Sequence, residues 1–369
     1  MPESITRNFV RPFDLTRAPL LRVGVIKEED NRHILMVDMH HITADGISHT
    51  VLMKDFAAIY RGQELAGLRI HYKDYSRWLS KESRQETLEA QEAYWLKEFA
   101  AAVPVLNLPI DYPRPPIQSV EGNTCSFTVA KEETAKIKKL AAQYEVTLYM
   151  MFLALLNLLM SKLSGNEDLV VGTVISGRNH TDLQKIVGMF VNVLCLRNFP
   201  AKGKTFAAFL TEVKERALRS FQNQDYQFQD LVGKIDLNRD PARHPVFDVG
   251  LEFQGDEWST ERETEFQVNL PQLAIQSYPY EKKLSRLDMT LYGRDARDHL
   301  EFHFEYCTKL FKEETIQNFI KYFKTLLAVV LEEPGKELGD IDIIPAEEFQ
   351  KIKDQLQEKN REMTIDFDL

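Results

Sequence analysis

One short segment has the residue types that acid–base chemistry needs. His40 and His41 are adjacent, and Asp45 and Gly46 follow closely. An imidazole has an unperturbed pKa near neutrality, so it can accept or donate a proton at physiological pH. The preceding run, residues 34–39, alternates like a strand, which puts the two histidines at a strand end.

Strand alternation limits what the two histidines can do together. Strand alternation puts His41 on the same face as Leu35, Val37 and Met39, and His40 on the other face. Only one of the two can then enter a given cavity. Because neighbouring strand residues diverge and no third ligand is evident, the pair does not predict a metal site.

The elements around this segment indicate an α/β or α+β layered fold. Strand-like residues 20–26 and 33–40 predict a hairpin, and residues 51–60 have helical periodicity. Further strand-like runs alternate with long helical segments. Residues 148–163 are apolar but carry polar interruptions, which predicts a buried core helix rather than a membrane span.

Composition excludes several classes of protein. The 369 residues suffice for large cores in one or two domains. The net charge of −10 argues against a nucleic-acid binder. Cys125, Cys195 and Cys307 are odd in number and widely spaced, which suits a reducing, cytoplasmic compartment. No basic segment followed by an apolar one opens the sequence, so secretion is not predicted.

Five segments in order resemble the condensation domains of nonribosomal peptide synthetases, members of the chloramphenicol-acetyltransferase-like superfamily. Residues 40–46 are similar to the HHxxxDG signature. The others are, in chain order, residues 72–78 (similar to YxDYxxW), 187–197 (GxFVNTxxxR), 223–228 (NQDYPFE) and 239–246 (RDxSRNPL). The resemblance covers essentially the whole chain up to its tail.

The chain departs from the family pattern at several places. Gln227 replaces a proline, Gln229 replaces an acid, and His244 takes an asparagine position. Two family elements, SxAQxRLWxL and RHExLRTxF, do not precede the hairpin, so we expect an incomplete N-terminal lobe. In the family, the second of these elements, RHExLRTxF, normally supplies an arginine that pairs with the aspartate of the HHxxxDG motif. Asp45 is therefore expected to lose that partner, with Arg22 as a nearby substitute in sequence.

The resemblance implies two lobes that form a V around a central tunnel, with the HHxxxDG motif at its middle. Residues 1–78 are expected to form the remainder of the N-terminal lobe and residues 79–344 the C-terminal lobe. Residues 345–369 are expected to be a linker or tail towards a following domain. An incomplete lobe predicts an unpaired sheet edge and exposed apolar area.

The implied reaction is amide-bond formation between a donor acyl or peptidyl thioester and an acceptor aminoacyl thioester. Both substrates are implied to hang from phosphopantetheine arms of carrier proteins, with no cofactor bound directly. No carrier motif or adenylation phosphate loop is visible in the sequence. Carrier proteins and an adjacent adenylation domain are therefore the expected partners, without nucleic acid or membrane.

The resemblance also assigns roles to residues. His41 is the catalytic candidate, as general base or as a group that orients the amine, the alternative being a satisfied core histidine. His40 is structural. Asp45 holds the loop or caps a helix, and Gly46 permits a tight turn with positive φ or a close approach of the pantetheine. Two further residues, each with a structural alternative, are possible contacts to the tunnel or substrate: Asn192 and Ser48.

The residues after the HHxxxDG-like segment also bear on which subtype of condensation domain the chain resembles. Epimerisation domains carry a tryptophan soon after the motif glycine, where this chain has His49 and Thr50, and heterocyclisation domains use paired aspartates. An L-configured donor is the resulting prediction.

Arg178, after a strand end, is a predicted loop anchor. Two other hypotheses remain: a catalytically silent carrier-docking fragment, and an acyltransferase of the same superfamily that uses acyl-CoA.

Overall fold

The computed structural model describes residues 8–79, 84–237, 239–254, 268–270, 273–276, 278 and 283–345. The chain forms two compact units. Unit 1 comprises Met1–Ala90, Ile175–Asn192 and Thr260–Glu281, and unit 2 comprises Gln91–Val174, Val193–Ser259 and Lys282–Leu369. The predicted lobe limits, 1–78 and 79–344, stay predictions, and residues 346–369 of the predicted tail lie outside the described residues.

Strands and helices alternate along the chain. In order, the described elements are β1 (Leu21–Glu29), β2 (Arg32–Met39), a 3₁₀ turn (His41–Thr43), α1 (Gly46–Tyr60), α2 (Tyr72–Leu79), α3 (Gln85–Glu98), β3 (Gly122–Val129), α4 (Lys131–Gln143), α5 (Leu148–Ser164), β4 (Leu169–Ile175), a 3₁₀ turn (Thr181–Lys185), β5 (Asn192–Asn198), α6 (Phe206–Gln222), α7 (Phe228–Lys234), β6 (Val249–Gln254), β7 (Val268–Leu270), β8 (Leu273–Ile275), β9 (Met289–Asp295), β10 (Leu300–Cys307), α8 (Glu313–Glu332) and a 3₁₀ turn (Leu338–Asp340).

Unit 1 contains the predicted hairpin. β1 and β2 pair antiparallel, with Val23 opposite Val37 and Val25 opposite Leu35. The strands extend further into the predicted turn than the apolar pattern indicated. One face of the hairpin is apolar and exposed, and we call it the hairpin patch: Leu21, Val23, Val25, Leu35 and Val37. This face is the exposed apolar area that the sequence predicted.

Unit 2 is built around a six-stranded mixed sheet with the order β3-β10-β9-β6-β4-β5. β10 pairs antiparallel with β3 and β9, whereas β6 pairs parallel with β9 and β4. Alternate residues of β10 are buried, which is the pattern of a strand that has one face against a core. Aromatic rings fill that core, among them Phe127, Phe152, Phe302 and Phe323.

Helix α5 is the predicted core helix. Thr147 caps its N-terminus by accepting the Met150 N–H at 3.2 Å, and Gly165 ends it in the left-handed conformation. Every residue from 150 to 160 is buried, so the helix needs no polar face. Among the described residues no single helix has the length and hydropathy to cross a membrane; α4 and α5 pass that test only as a pair, bent by 101°.

Candidate functional site

The two histidines lie in a turn rather than on a strand. β2 ends at Met39, and His40 is the N-cap of the 3₁₀ turn that follows. The His40 Nδ1 accepts the Ile42 N–H at 3.2 Å, which gives this residue the structural position expected for it. The predicted shared face of His41 with Leu35 and Val37 is wrong, because strand alternation stops before His41.

The geometry of His41 selects one tautomer of its ring. The side chain is exposed, so it is not a buried core histidine. Its Nδ1 lies 2.9 Å from the Ala44 carbonyl oxygen. A carbonyl only accepts hydrogen bonds, so Nδ1 carries the proton in the neutral ring. The lone pair is then on Nε2, where a substrate proton can be accepted.

Asp45 caps the helix that follows the turn. Its Oδ1 accepts the Ser48 N–H at 2.8 Å, and the Ser48 hydroxyl accepts the Asp45 N–H at 3.3 Å, which completes a capping box. Ser48 is wholly buried, with its hydroxyl engaged in this cap. Gly46 begins α1, and its φ is not positive: the described glycines with positive φ are Gly62, Gly165 and Gly177.

Asp45 has a buried cationic partner. Arg178 Nη2 donates to Asp45 Oδ1 at 2.9 Å and to Oδ2 at 3.1 Å, and both side chains are at most 1 % exposed. Asp45 thus has an arginine partner other than the one that the family element RHExLRTxF normally supplies. Arg22 is not the substitute, because it pairs with Asp38 at 2.8 Å. The partner comes from a segment 133 residues further along the chain.

Arg178 is also the loop anchor that its position predicted. Its Nη1 donates to the carbonyl oxygens of Leu183 and Ile186, at 2.5 and 2.7 Å, and its guanidinium lies 4.1 Å from the centre of the Phe190 ring. Burial by itself would raise the pKa of Asp45. The Arg178 guanidinium and the hydrogen bonds from Ser48 outweigh burial and hold that pKa below its usual value.

A second segment of unit 1 packs directly against this cap. The Gly188 carbonyl accepts the Asp45 N–H at 3.2 Å, and the Gly188 N–H donates to the Ser48 hydroxyl at 3.0 Å. The Phe190 N–H adds a bond to Asp45 Oδ2 at 3.3 Å. The motif loop is thus fixed from two sides, by its own helix and by residues 186–190.

The remaining predicted residues are buried. Asn192 begins β5 and is 6 % exposed, and it makes contacts of its own. Cys195 lies in the core, where burial raises the pKa of its thiol, as expected for a packing residue. Within the described ranges, no three or more His, Cys, Asp or Glu side chains are grouped so that they could hold a metal ion.

Arg178 is the functional residue whose role sequence reasoning identified only in part. Its position after Gly177, at the end of β4, marked it as a loop anchor. The pairing with Asp45 had no local signal, because a separation of 133 residues leaves no periodicity to detect. The neighbouring Gly177 is a local signal of a turn. Its φ is +61°, a conformation that favours glycine, and this turn precedes Arg178 directly.

Comparison with known proteins bears directly on this motif. Residues 1–353 match the family described as "Condensation domain". Gramicidin S synthase 2 of Aneurinibacillus migulanus is 42 % identical over 350 residues, which are 95 % of this chain and 8 % of that protein. The chain therefore spans a small part of this multidomain relative.

Solved structures agree with that assignment. The X-domain from teicoplanin biosynthesis superposes with a TM-score of 0.83 at 25 % identity, over 93 % of this chain and 79 % of its own. The first condensation domain of the calcium-dependent antibiotic synthetase superposes with a TM-score of 0.66 at 17 % identity, over 93 % and 74 %. The predicted fold class, mixed α/β of the chloramphenicol-acetyltransferase-like type, is confirmed.

The HHxxxDG motif, the order of the later motifs, the mixed sheet and the extent of the match agree with one another. The chain belongs to the condensation-domain family of the nonribosomal peptide synthetases.

Proposed function

We propose that this chain catalyses amide-bond formation between two carrier-bound thioesters. The acceptor amine attacks the donor thioester carbonyl, the new C–N bond forms, and the C–S bond breaks. The amine loses a proton, and the departing thiolate gains one. A group that takes the first proton and delivers the second balances the reaction without any cofactor bound to the chain.

One observation carries this proposal: the His41 Nδ1 faces the Ala44 carbonyl, which leaves Nε2 as the basic nitrogen. His41 is an exposed residue within the part of unit 1 that is described. General acid–base catalysis by one positioned imidazole contributes roughly 10²–10⁴-fold. The same nitrogen also orients the amine, since accepting its hydrogen bond fixes the direction of attack.

Asp45 supports His41 indirectly. Its carboxylate oxygens are used by Arg178, Ser48 and Phe190, and no bond from Asp45 to an imidazole is among them. The carboxylate is therefore assigned to holding the loop, not to relaying a proton. His40 and Gly46 are assigned to the same structural task, one as a turn cap and the other as the first residue of α1.

The finer features of the reaction follow from the same residues. We propose an L-configured donor, because His49 and Thr50 stand where epimerisation domains carry a tryptophan. Carrier proteins with phosphopantetheine arms, and an adenylation domain, are the proposed partners, as in multidomain synthetases. Three free, buried cysteines support a reducing, cytoplasmic setting.

The test is dipeptidyl-thioester formation from two loaded carrier proteins, followed by mass spectrometry. Unmodified chain, His41→Ala and His40→Ala are compared, with L- and D-configured donors. We expect His41→Ala to slow product formation by roughly 10²–10⁴-fold. His40→Ala is the matched control, because it removes the neighbouring imidazole, which caps the turn through the Ile42 N–H and meets the Phe13 ring edge-on.

Each outcome separates the hypotheses. Product that depends on His41 and on both carriers supports the proposal, and a preference for the L donor supports the subtype. A folded chain that binds carriers but forms no product is the silent docking fragment. Product from acyl-CoA and a small amine, with no carrier present, supports the acyl-CoA acyltransferase instead.

A further inference from the structure

The segment that secures the histidine loop is itself held by α2. Gly188 and Phe190 make three hydrogen bonds through their backbone atoms to the cap of α1. Met189 lies between them, and its carbonyl oxygen accepts the Tyr72 hydroxyl at 2.7 Å. Tyr72 is the first residue of α2 and lies 117 positions earlier in the chain. One side chain of α2 therefore holds the middle of this segment.

The Tyr72 ring covers the residues on either side of Met189. It lies so close to Gly188 that a Cβ there would be 2.2 Å from Tyr72 Cδ2. The ring also meets the Phe190 ring edge-on, with centroids 5.1 Å apart, which is a geometry that aromatic pairs prefer. The ring and the hydroxyl of Tyr72 together thus contact all three residues from 188 to 190.

Tyr72 keeps the proton that its hydrogen bond requires. A carbonyl oxygen only accepts hydrogen bonds, so the phenol must donate. Burial raises the pKa of Tyr72, and the nearby negative charge of Asp45 raises it further. The hydroxyl therefore remains a donor at neutral and mildly alkaline pH, which is where an amine attacks most readily.

One peptide group connects this support to the catalytic candidate. The Ala44 carbonyl and the Asp45 N–H belong to the same peptide group, which is planar. The N–H donates to the Gly188 carbonyl at 3.2 Å. The Ala44 carbonyl oxygen lies 2.9 Å from His41 Nδ1. Because the two ends of a planar group cannot turn independently, the position of Gly188 fixes the direction of the carbonyl that selects the His41 tautomer.

We propose that Tyr72 is a positioning residue for His41. It holds residues 188–190, which orient the peptide group at Asp45. That peptide group keeps the proton of His41 on Nδ1 and the lone pair on Nε2. The effect on product formation rests on the proposed function, whereas the effect on the tautomer is a property of the chain without substrates.

The test compares two tyrosine variants of the full chain. Tyr72→Phe retains the ring on Gly188 and removes only the hydroxyl. Tyr94→Phe is the matched control, because the Tyr94 hydroxyl lies 3.1 Å from the Ser220 hydroxyl and both residues belong to unit 2. Tyr72→Leu also takes the ring away from Gly188, so its effect should exceed that of Tyr72→Phe.

The first measurement is ¹⁵N NMR of the histidine rings at about pH 8, above the ordinary pKa of an imidazole. The His41 signals are assigned by their absence from His41→Ala. We expect Tyr72→Phe to lower the ratio of Nδ1-protonated to Nε2-protonated His41 by roughly three- to tenfold, the effect of one hydrogen bond. The Ser48 hydroxyl also receives the Asp45 N–H, at 3.3 Å, so the order is weakened and not abolished.

The second measurement is dipeptidyl-thioester formation from loaded carrier proteins. We expect kcat to fall by roughly three- to tenfold in Tyr72→Phe, with KM for the carriers unchanged, because the tautomer affects proton transfer and not binding. Tyr94→Phe should change neither the tautomer ratio nor kcat.

The outcomes separate positioning from a purely structural role. An unchanged tautomer ratio in Tyr72→Phe overturns the proposal, even if kcat falls, because Tyr72 would then act through stability alone. An equal change in Tyr94→Phe overturns it as well. A shifted ratio in a chain that forms no product supports the positioning role and contradicts the proposed function instead. Tyr72→Phe decides between these outcomes even if Tyr72→Leu fails to fold.

Discussion

Arg178 Nη2 lies 2.9 and 3.1 Å from the two carboxylate oxygens of Asp45, and both side chains are removed from solvent. This ion pair joins the loop that carries the histidines to the segment that follows β4. Because one guanidinium nitrogen donates to both carboxylate oxygens, the pair fixes the orientation of the two side chains as well as their distance.

Removing Arg178 should destabilise unit 1 strongly. Arg178→Ala leaves the Asp45 carboxylate buried without its cation, which costs about 3–5 kcal/mol. The measurement is the free energy of unfolding from urea titration. Arg69→Ala is the matched control, because the Arg69–Asp182 pair is exposed and is worth about 0–1 kcal/mol. Equal effects of the two variants would contradict a structural role for the buried pair.

Asp45 should contribute to the loss of stability in acid. Its pKa is lowered in the folded state, so its ionised form stabilises the fold above the ordinary carboxyl pKa. That stability is lost as the pH falls through the lowered pKa. The free energy of unfolding, measured between pH 7 and pH 3, should therefore fall less steeply at the acid end for Asp45→Asn than for the unmodified chain. Asp298→Asn, which changes an exposed carboxylate, should leave the slope as it is.

Ser48 should matter more than an ordinary helix cap. Ser48→Ala removes half of the capping box together with the bonds to Gly188, at a cost of about 1–3 kcal/mol. The Thr205 hydroxyl accepts the Ala208 N–H as a simple helix cap. Thr205→Ala should therefore lower the free energy of unfolding by about 1 kcal/mol. Thermal unfolding compares the two. A smaller loss for Ser48 than for Thr205 would show that the Gly188 bonds contribute nothing.

Two glycines with positive φ allow backbone strain to be separated from steric clash. A Cβ at Gly177 would lie 1.9 Å from the Phe190 carbonyl oxygen, whereas a Cβ at Gly165 meets nothing within 4 Å. Gly165→Ala should cost about 1–2 kcal/mol from the left-handed conformation alone. Gly177→Ala should cost clearly more and displace Arg178. Chemical denaturation measures both, and similar losses would mean that the segment simply shifts.

The hairpin patch should promote self-association. Val23 and Val25 are 59 % and 64 % exposed, on a face shared with three more aliphatic side chains. Val25→Lys should lower the mass-average size in light scattering at a given protein concentration. Leu218→Lys is the control, since Leu218 is an exposed apolar residue on α6. A chain that stays monodisperse without the substitution would count against this expectation.

Local patterns in the sequence predicted a good part of the structure. Alternation gave the β1–β2 hairpin, and the continuous apolar run gave α5, because both depend on neighbours within a few residues. The cap at Asp45 was among the predicted alternatives for the same reason: a carboxylate at the start of a helical segment has nearby N–H donors.

The end of β2 and the partner of Asp45 were both predicted incorrectly, because neither is determined by the local sequence pattern. The strand stops at Met39, since His40 turns the chain by bonding to Ile42, and propensity alone does not reveal such an ending. The Asp45 partner was misjudged because it is set by tertiary structure. Nothing near Arg178 in sequence indicates which carboxylate it binds, so only the folded unit decides between candidates.

The wide sequence separation between Asp45 and Arg178 governs when the motif can take shape. A loop closed over 133 residues is a non-local contact, which forms late and slowly compared with a hairpin or a helix. During synthesis, the histidine loop leaves the ribosome long before the arginine that secures it. The loop can therefore take its final, bonded conformation only after residues 178–190 have been made.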